Sequence, residues 1–79
     1  MRYAVYFWPI FEKKLVPKSP VFKDWVLKMA RQLANDPYRG KPIRFPYFRE
    51  KKLEGERIYY FISDSMHTIY FVNMSGKKD

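Results

Sequence analysis

One stretch of this chain carries an apolar stripe at sustained helical spacing: Phe22, Trp25, Val26, Met29 and Leu33 fall at i, i+3, i+4, i+7 and i+11. Lys23, Lys28 and Gln32 fall on the other side. Ser19-Pro20 opens the segment with a capping hydroxyl and a residue whose missing N–H is harmless at the first helical position. Pro37 closes it, because the residue before a proline avoids helical geometry, so the helix is expected to end at Asn35-Asp36. A helix with one apolar side needs one covering layer, and the rest of the chain must supply a sheet.

That sheet is legible on both flanks. Residues 2–8 are β-branched and aromatic with no helical period and read as a strand stopped by Pro9. Residues 9–16 fit a short helix with Ile10, Phe11 and Leu15 on one side, ended by Pro17. Residues 36–42 read as a loop from their Pro and Gly content. Three strand-like runs follow, at about 43–53, 57–62 and 68–74, separated by turn signals at Glu54-Gly55 and Ser63-Asp64-Ser65. The expected fold class is α+β: an N-terminal strand and two helices, one short and one long, packed on an antiparallel β-meander. Seventy-nine residues suffice for one domain, 1–79, burying ~60% of its unfolded surface.

Alternation in the second run puts Ile58, Tyr60 and Ile62 on a core face and Arg57, Tyr59 and Phe61 on a face that a single helix layer leaves open. Tyr3, Tyr6, Tyr60 and Tyr70 read as packing residues within strands, and Trp25 and Met29 as helix core. Apolar residues at 47% and aromatics at 20% are those of a folded protein. Cysteine is absent, which excludes disulfides and thiolate chemistry and makes a cytoplasmic location the expectation. The apolar runs at 4–11 and 58–62 are too short to cross a bilayer, which needs ~20 residues, and no signal-peptide pattern opens the chain, so a soluble protein without membrane partners is expected.

Sixteen Lys and Arg against eight Asp and Glu give a net charge of +8. Such an excess favours nucleic acid or an acidic protein partner. Seven cations, Arg39, Lys41, Arg44, Arg49, Lys51, Lys52 and Arg57, lie within nineteen residues, offset by Glu50, Glu54 and Glu56, and Lys77 and Lys78 follow Gly76. A short turn brings Lys52 close to Arg57. A cationic cluster on an aromatic sheet face can hold phosphates by charge while bases stack on rings, as in single-stranded RNA recognition. The same charges also suit a merely solvated meander, and both readings stand at this point.

The catalytic inventory is narrow. His67 is the sole histidine, which removes a His–His acid/base pair. The carboxylates lack the paired spacing of a metal site or a glycosidase dyad, and there is no glycine-rich phosphate loop or nucleophile elbow. Neither metal nor cofactor is expected. Catalysis, if present, must use cations and tyrosines: a lysine among other cations as proton carrier, and an arginine fork on the charge that builds at phosphorus when a ribose 2′-OH attacks.

Four strings, in order, resemble the RelE/ParE toxin superfamily of toxin–antitoxin systems: Asn35-Asp36-Pro37-Tyr38-Arg39-Gly40-Lys41-Pro42, Phe48-Arg49-Glu50-Lys51-Lys52-Leu53, Arg57-Ile58-Tyr59-Tyr60 and Gly76-Lys77-Lys78-Asp79. The resemblance implies a RelE-like fold whose basic concave sheet face is the working surface. It implies a toxin of a type II system, a metal-free, ribosome-dependent mRNA endonuclease silenced by a cognate antitoxin through an acidic or apolar amphipathic segment. The alternative is a ParE-like gyrase inhibitor or an inert antitoxin-binding protein; a basic nucleic-acid-binding module without cleavage is a third reading. Position by position, Arg57 matches the strand arginine facing the scissile phosphate, Lys52 the cation closing the preceding strand, and Lys77 and Lys78 the basic pair after the last strand, where Lys loses an arginine's bidentate fork. Lys51 or Lys52 is the candidate proton carrier, and Arg49, Arg44 and Tyr59 are candidate RNA contacts. Two departures bear on cleavage: Glu56 stands where Tyr is frequent, placing a negative charge beside the expected phosphate site, and the sequence stops at Asp79 where many members continue into a tail with a functional Tyr or His, so either that tail lies outside this sequence or cleavage is expected to be slow or absent.

Overall fold

The computed structural model describes residues 2–76. Strand β1 is Ala4–Phe7. The Trp8 N–H still bonds to Phe71 O at 2.9 Å, and Pro9 then opens helix α1, Pro9–Leu15. Helix α2 is Pro20–Asn35, capped by Ser19 Oγ, which accepts from the Phe22 N–H at 3.1 Å. Its buried side is Phe22, Val26, Met29, Ala30, Leu33 and Ala34. Trp25, expected in the core, is 36% exposed. At ~100° per residue Ala30 and Ala34 extend the buried arc away from Trp25 and leave it at the rim. Ile10, expected beside Phe11, is 46% exposed, while Phe11 is fully buried.

A 3-10 turn, Pro37–Arg39, and strand β2, Lys41–Ile43, replace the expected loop over 36–42. Arg44 at φ 67° separates β2 from β3, Phe45–Leu53. Pro42 is tolerated because β2 is an edge strand, where a missing ladder donor costs little. Glu54 and Gly55, both at positive φ, make the tight turn into β4, Glu56–Ser63, and β5 is Thr68–Gly76.

The sheet order is β1-β5-β4-β3-β2. The meander β3-β4-β5 is antiparallel as expected, but the sheet is mixed, since β1 runs parallel to β5. Phe11, Val26, Leu33, Ile58, Tyr60, Ile69 and Phe71 form the core between the helices and one sheet face. Tyr60 bonds fully inside it: its hydroxyl accepts from the Gly40 N–H at 3.0 Å and donates to Pro37 O at 2.7 Å. Burial pushes its phenol up.

At the β4–β5 turn, Asp64 accepts from the hydroxyls of Tyr3 at 2.6 Å and Tyr38 at 2.5 Å, and Tyr3 stacks on His67 at 4.0 Å. The bond from Tyr3, then that from Tyr38, holds the Asp64 carboxyl below its ordinary value, and the Asp64 bond pushes the Tyr3 phenol up to about 12. A depressed carboxyl adds stability above its unfolded pKa of 3.8 and loses it as pH falls through the lower folded value; a raised phenol adds stability below 10 and loses it as pH rises through about 12. Stability is therefore expected to decline at both extremes, with Tyr3→Phe flattening the alkaline limb between pH 10 and about 12. Urea melts across pH check this; an unchanged limb in the variant would exclude the Tyr3–Asp64 bond as its source.

Candidate nucleic-acid interface

Because side chains alternate along a strand and cross-strand partners share a face, the register writes out the sheet face opposite the helices. It has three rows. Lys52, Arg57 and Ser75 form the first, directly opposite one another on β3, β4 and β5. Lys41, Glu50, Tyr59 and Asn73 form the second. Phe48, Phe61, Tyr70 and Tyr6 form the third. Tyr6, expected as packing, is 59% exposed here and stacks on Tyr70 at 6.1 Å. Alternation from the partly buried Val5 and Phe7 explains its position.

The face is concave. Trp8 and Ile10, which follow β1 at one sheet edge, and Ile43 of β2 at the other line a single hollow of about 450 Å³ with Phe48, Tyr59 and Val72. The hollow is thus built across the sheet from residues at both of its edges. Phe48 and Tyr59 stack at 6.3 Å on its floor, and Tyr47 meets Phe61 edge-on at 5.2 Å. The face thus combines ring surfaces with a cationic end. Beside it, Lys52 and Arg57 line a hollow of about 370 Å³ with Gly55 and Glu56.

Arg57 is half-exposed, and its Nη1 lies 4.0 Å from Glu50 Oε1, the one ion pair found for it among the described residues. An exposed contact of that length is weak, so a phosphate can compete for the guanidinium. Tyr59 lies in the middle row, its hydroxyl 3.3 Å from Ser75 Oγ.

The other candidates are placed differently. Lys51 pairs with Ile58, on the helix-side face, so adjacent Lys51 and Lys52 serve opposite sides of β3. Arg49 is occupied: it donates to Pro46 O at 2.7 Å, Tyr38 O at 3.1 Å and Gly40 O at 2.6 Å, and its guanidinium lies 4.9 Å from the Tyr38 ring centre. Arg44 sits exposed at the β2–β3 break. Lys77 and Lys78 lie outside the described residues. Glu56 lines the hollow with Lys52 and Arg57, and its carboxylate pairs with Lys18 Nζ at 2.7 Å. The carboxylate that meets Arg57 is Glu50, which charge counting treated only as an offset; two steps of alternation back from Lys52 place it on this face. The apolar contributions of Trp8, Ile10 and Ile43 depend on curvature and have no local signature. Among the described residues no group of three or more His, Asp or Glu is arranged to hold a metal, and no helix is long and apolar enough to cross a membrane.

Solved structures share this architecture over nearly all of the chain. The M. tuberculosis RelBE2 toxin–antitoxin complex is similar with a TM-score of 0.84 at 24% identity, covering 100% of this chain and 95% of that one. A free E. coli RelE variant gives 0.84 at 16% identity, covering 96% and 84%. The archaeal RelE–RelB complex from Pyrococcus horikoshii gives 0.81 at 15% identity, covering 98% and 97%. The fold is that of the RelE toxins. No protein-family model matches the sequence, and no curated protein does.

Proposed function

We propose that this RelE-fold protein is the toxin of a toxin–antitoxin pair and cuts mRNA on the ribosome without a metal. The observation that carries the reading is the direct opposition of Lys52 and Arg57 on the concave face, two rows from a line of rings in which Tyr6 and Phe61 are exposed. The guanidinium fork suits the non-bridging oxygens of a phosphate in transition, the ammonium supplies a proton to the leaving 5′ oxygen, and the rings stack unpaired bases. Structures with this fold include RelE proteins bound to RelB antitoxins. A cognate antitoxin with an acidic or amphipathic segment fits a chain of charge +8 that exposes an apolar hollow.

The test adds purified protein to ribosomes programmed with a defined mRNA and maps new 5′ ends. Wild type is expected to cut, and Lys52→Ala/Arg57→Ala is not. The double variant is also expected to bind single-stranded RNA with a slope of log K against log salt shallower by about 1.4, at ~0.7 per lost phosphate contact. Intact mRNA with SOS-associated growth arrest would move the protein to the gyrase-inhibitor class, and no growth effect would leave an antitoxin-binding protein.

A further inference from the structure

The proposed cleavage leaves one proton without a destination, since a ribose 2′-hydroxyl must lose its hydrogen as it attacks phosphorus. Ammonium and guanidinium groups carry donors and no acceptor, so Lys52 and Arg57 in their charged forms cannot take it. The Tyr59 hydroxyl is engaged with Ser75. Glu50 differs. It stands in the middle row of the concave face, between Lys41 and Tyr59 in the sheet register and one row from Lys52 and Arg57. Its side chain is 11% exposed against 51% for Arg57, so it lies on the floor where Arg57 forms the rim.

That position leaves the carboxylate open to a substrate. Most of the side chain is buried, but its carboxylate oxygens still reach solvent, and its one ion pair among the described residues is the 4.0 Å contact to Arg57. An ionised carboxylate has about four acceptor positions, and that contact uses little of this capacity. From the proposed endonuclease reading, on which this rests, and from this geometry, we infer that Glu50 is the general base of RNA scission. Its carboxylate takes the 2′-hydroxyl proton, the 2′ oxygen bonds to the adjacent phosphorus, and the bond from phosphorus to the 5′ oxygen breaks. Lys52 protonates that leaving oxygen while Arg57 holds the non-bridging oxygens. The products are a 2′,3′-cyclic phosphate and a 5′-hydroxyl, and no co-reactant is consumed. A glutamate at this point of the face, with cations on both sides, divides acid and base between residues of opposite charge rather than between two lysines.

The groups facing Glu50 are Lys41 of β2, Lys52 of β3, and Arg57 and Tyr59 of β4. Single-turnover cleavage of mRNA on ribosomes, followed across pH with the full chain, tests the assignment. Glu50→Gln preserves shape and is expected to lower the rate at least ~100-fold with ribosome affinity unchanged. The wild-type rate is expected to rise about tenfold per pH unit on its acid side to a plateau, and the variant to lack that limb. A variant within fivefold of wild type, or a slow one that keeps the limb, overturns the assignment; the latter makes Glu50 only a positioning residue for Arg57. Should Glu50→Gln fail to fold, a flat wild-type acid side overturns it alone. If wild type leaves mRNA whole, the endonuclease reading falls and the base with it, whereas a cutting wild type matched by Glu50→Gln removes only the base.

Discussion

Gly40→Ala is expected to destabilise the protein by about 3 kcal/mol, the upper end of the usual range for overpacking. Conformation is not the reason. Gly40 sits at φ −76° and ψ 172°, extended backbone open to alanine, where the substitution alone commonly adds a few tenths of a kcal/mol by restricting the unfolded chain. Space is the reason. A Cβ here would lie 2.6 Å from the Tyr60 hydroxyl, 2.7 Å from the Glu50 carbonyl oxygen and 3.0 Å from Tyr60 Cε1. Neither neighbour is a flexible side-chain end. The Glu50 oxygen belongs to β3, whose partner at that point is Lys41 of β2, and the fully buried Tyr60 is fixed at its hydroxyl by Pro37 O. Displacing Gly40 also strains the bond from Arg49 Nη1 to its carbonyl at 2.6 Å. In a domain of this size the loss corresponds to a fall in Tm of roughly 12 °C or more. Thermal melts of the two proteins decide it, and an unchanged midpoint would show that β2 and β3 do not approach as described.

That junction marks the boundary of what was legible in the chain. Local rules located α2 through Ser19-Pro20 and its stripe, the tight turn through Glu54-Gly55, and the core face of β4 through Ile58, Tyr60 and Ile62. From that turn the closeness of Lys52 and Arg57 followed, and the register places them directly opposite. Contacts distant in sequence were not legible. Strand β2 is three residues long with a proline inside it, and it exists because Lys41 and Pro42 find partners on β3. The parallel pairing of β1 with β5 joins segments some sixty residues apart, from Ala4–Thr68 to Phe7–Phe71, and no local pattern encodes it. Curvature then turns Trp8, Ile10 and Ile43 into neighbours. Trp25 was misplaced because the apolar stripe weighed its size and neglected Ala30 and Ala34, whose small side chains define the buried arc. Glu50 was legible in principle, but summing charges along the chain hid what alternation separates: Lys51 lies on one face, and Glu50 and Lys52 on the other.

On the proposed endonuclease reading, Arg57→Ala is expected to slow mRNA cleavage by about 10²–10³-fold, the effect of removing one donor group aimed at charge that develops in a transition state. The same change is expected to leave stability nearly untouched, since the guanidinium is half-exposed and its 4.0 Å contact with Glu50 is of the kind worth ~0–1 kcal/mol. Activity and Tm should therefore separate. Arg57→Lys distinguishes charge from shape. An ammonium restores one positive charge but not the two parallel N–H groups that meet two phosphate oxygens, so recovery is expected to be partial. If lysine restores the full rate, Arg57 acts only as a point charge. Lys52, opposite it in register, provides the second axis: if both groups act on one phosphate, Lys52→Ala and Arg57→Ala are non-additive in a double-mutant cycle. Strict additivity of large single effects would place them on different phosphates. Loss of ribosome binding with the single-turnover rate intact would instead place Arg57 in docking alone, because a group that holds ground state and transition state equally changes affinity and leaves the chemical step as it was.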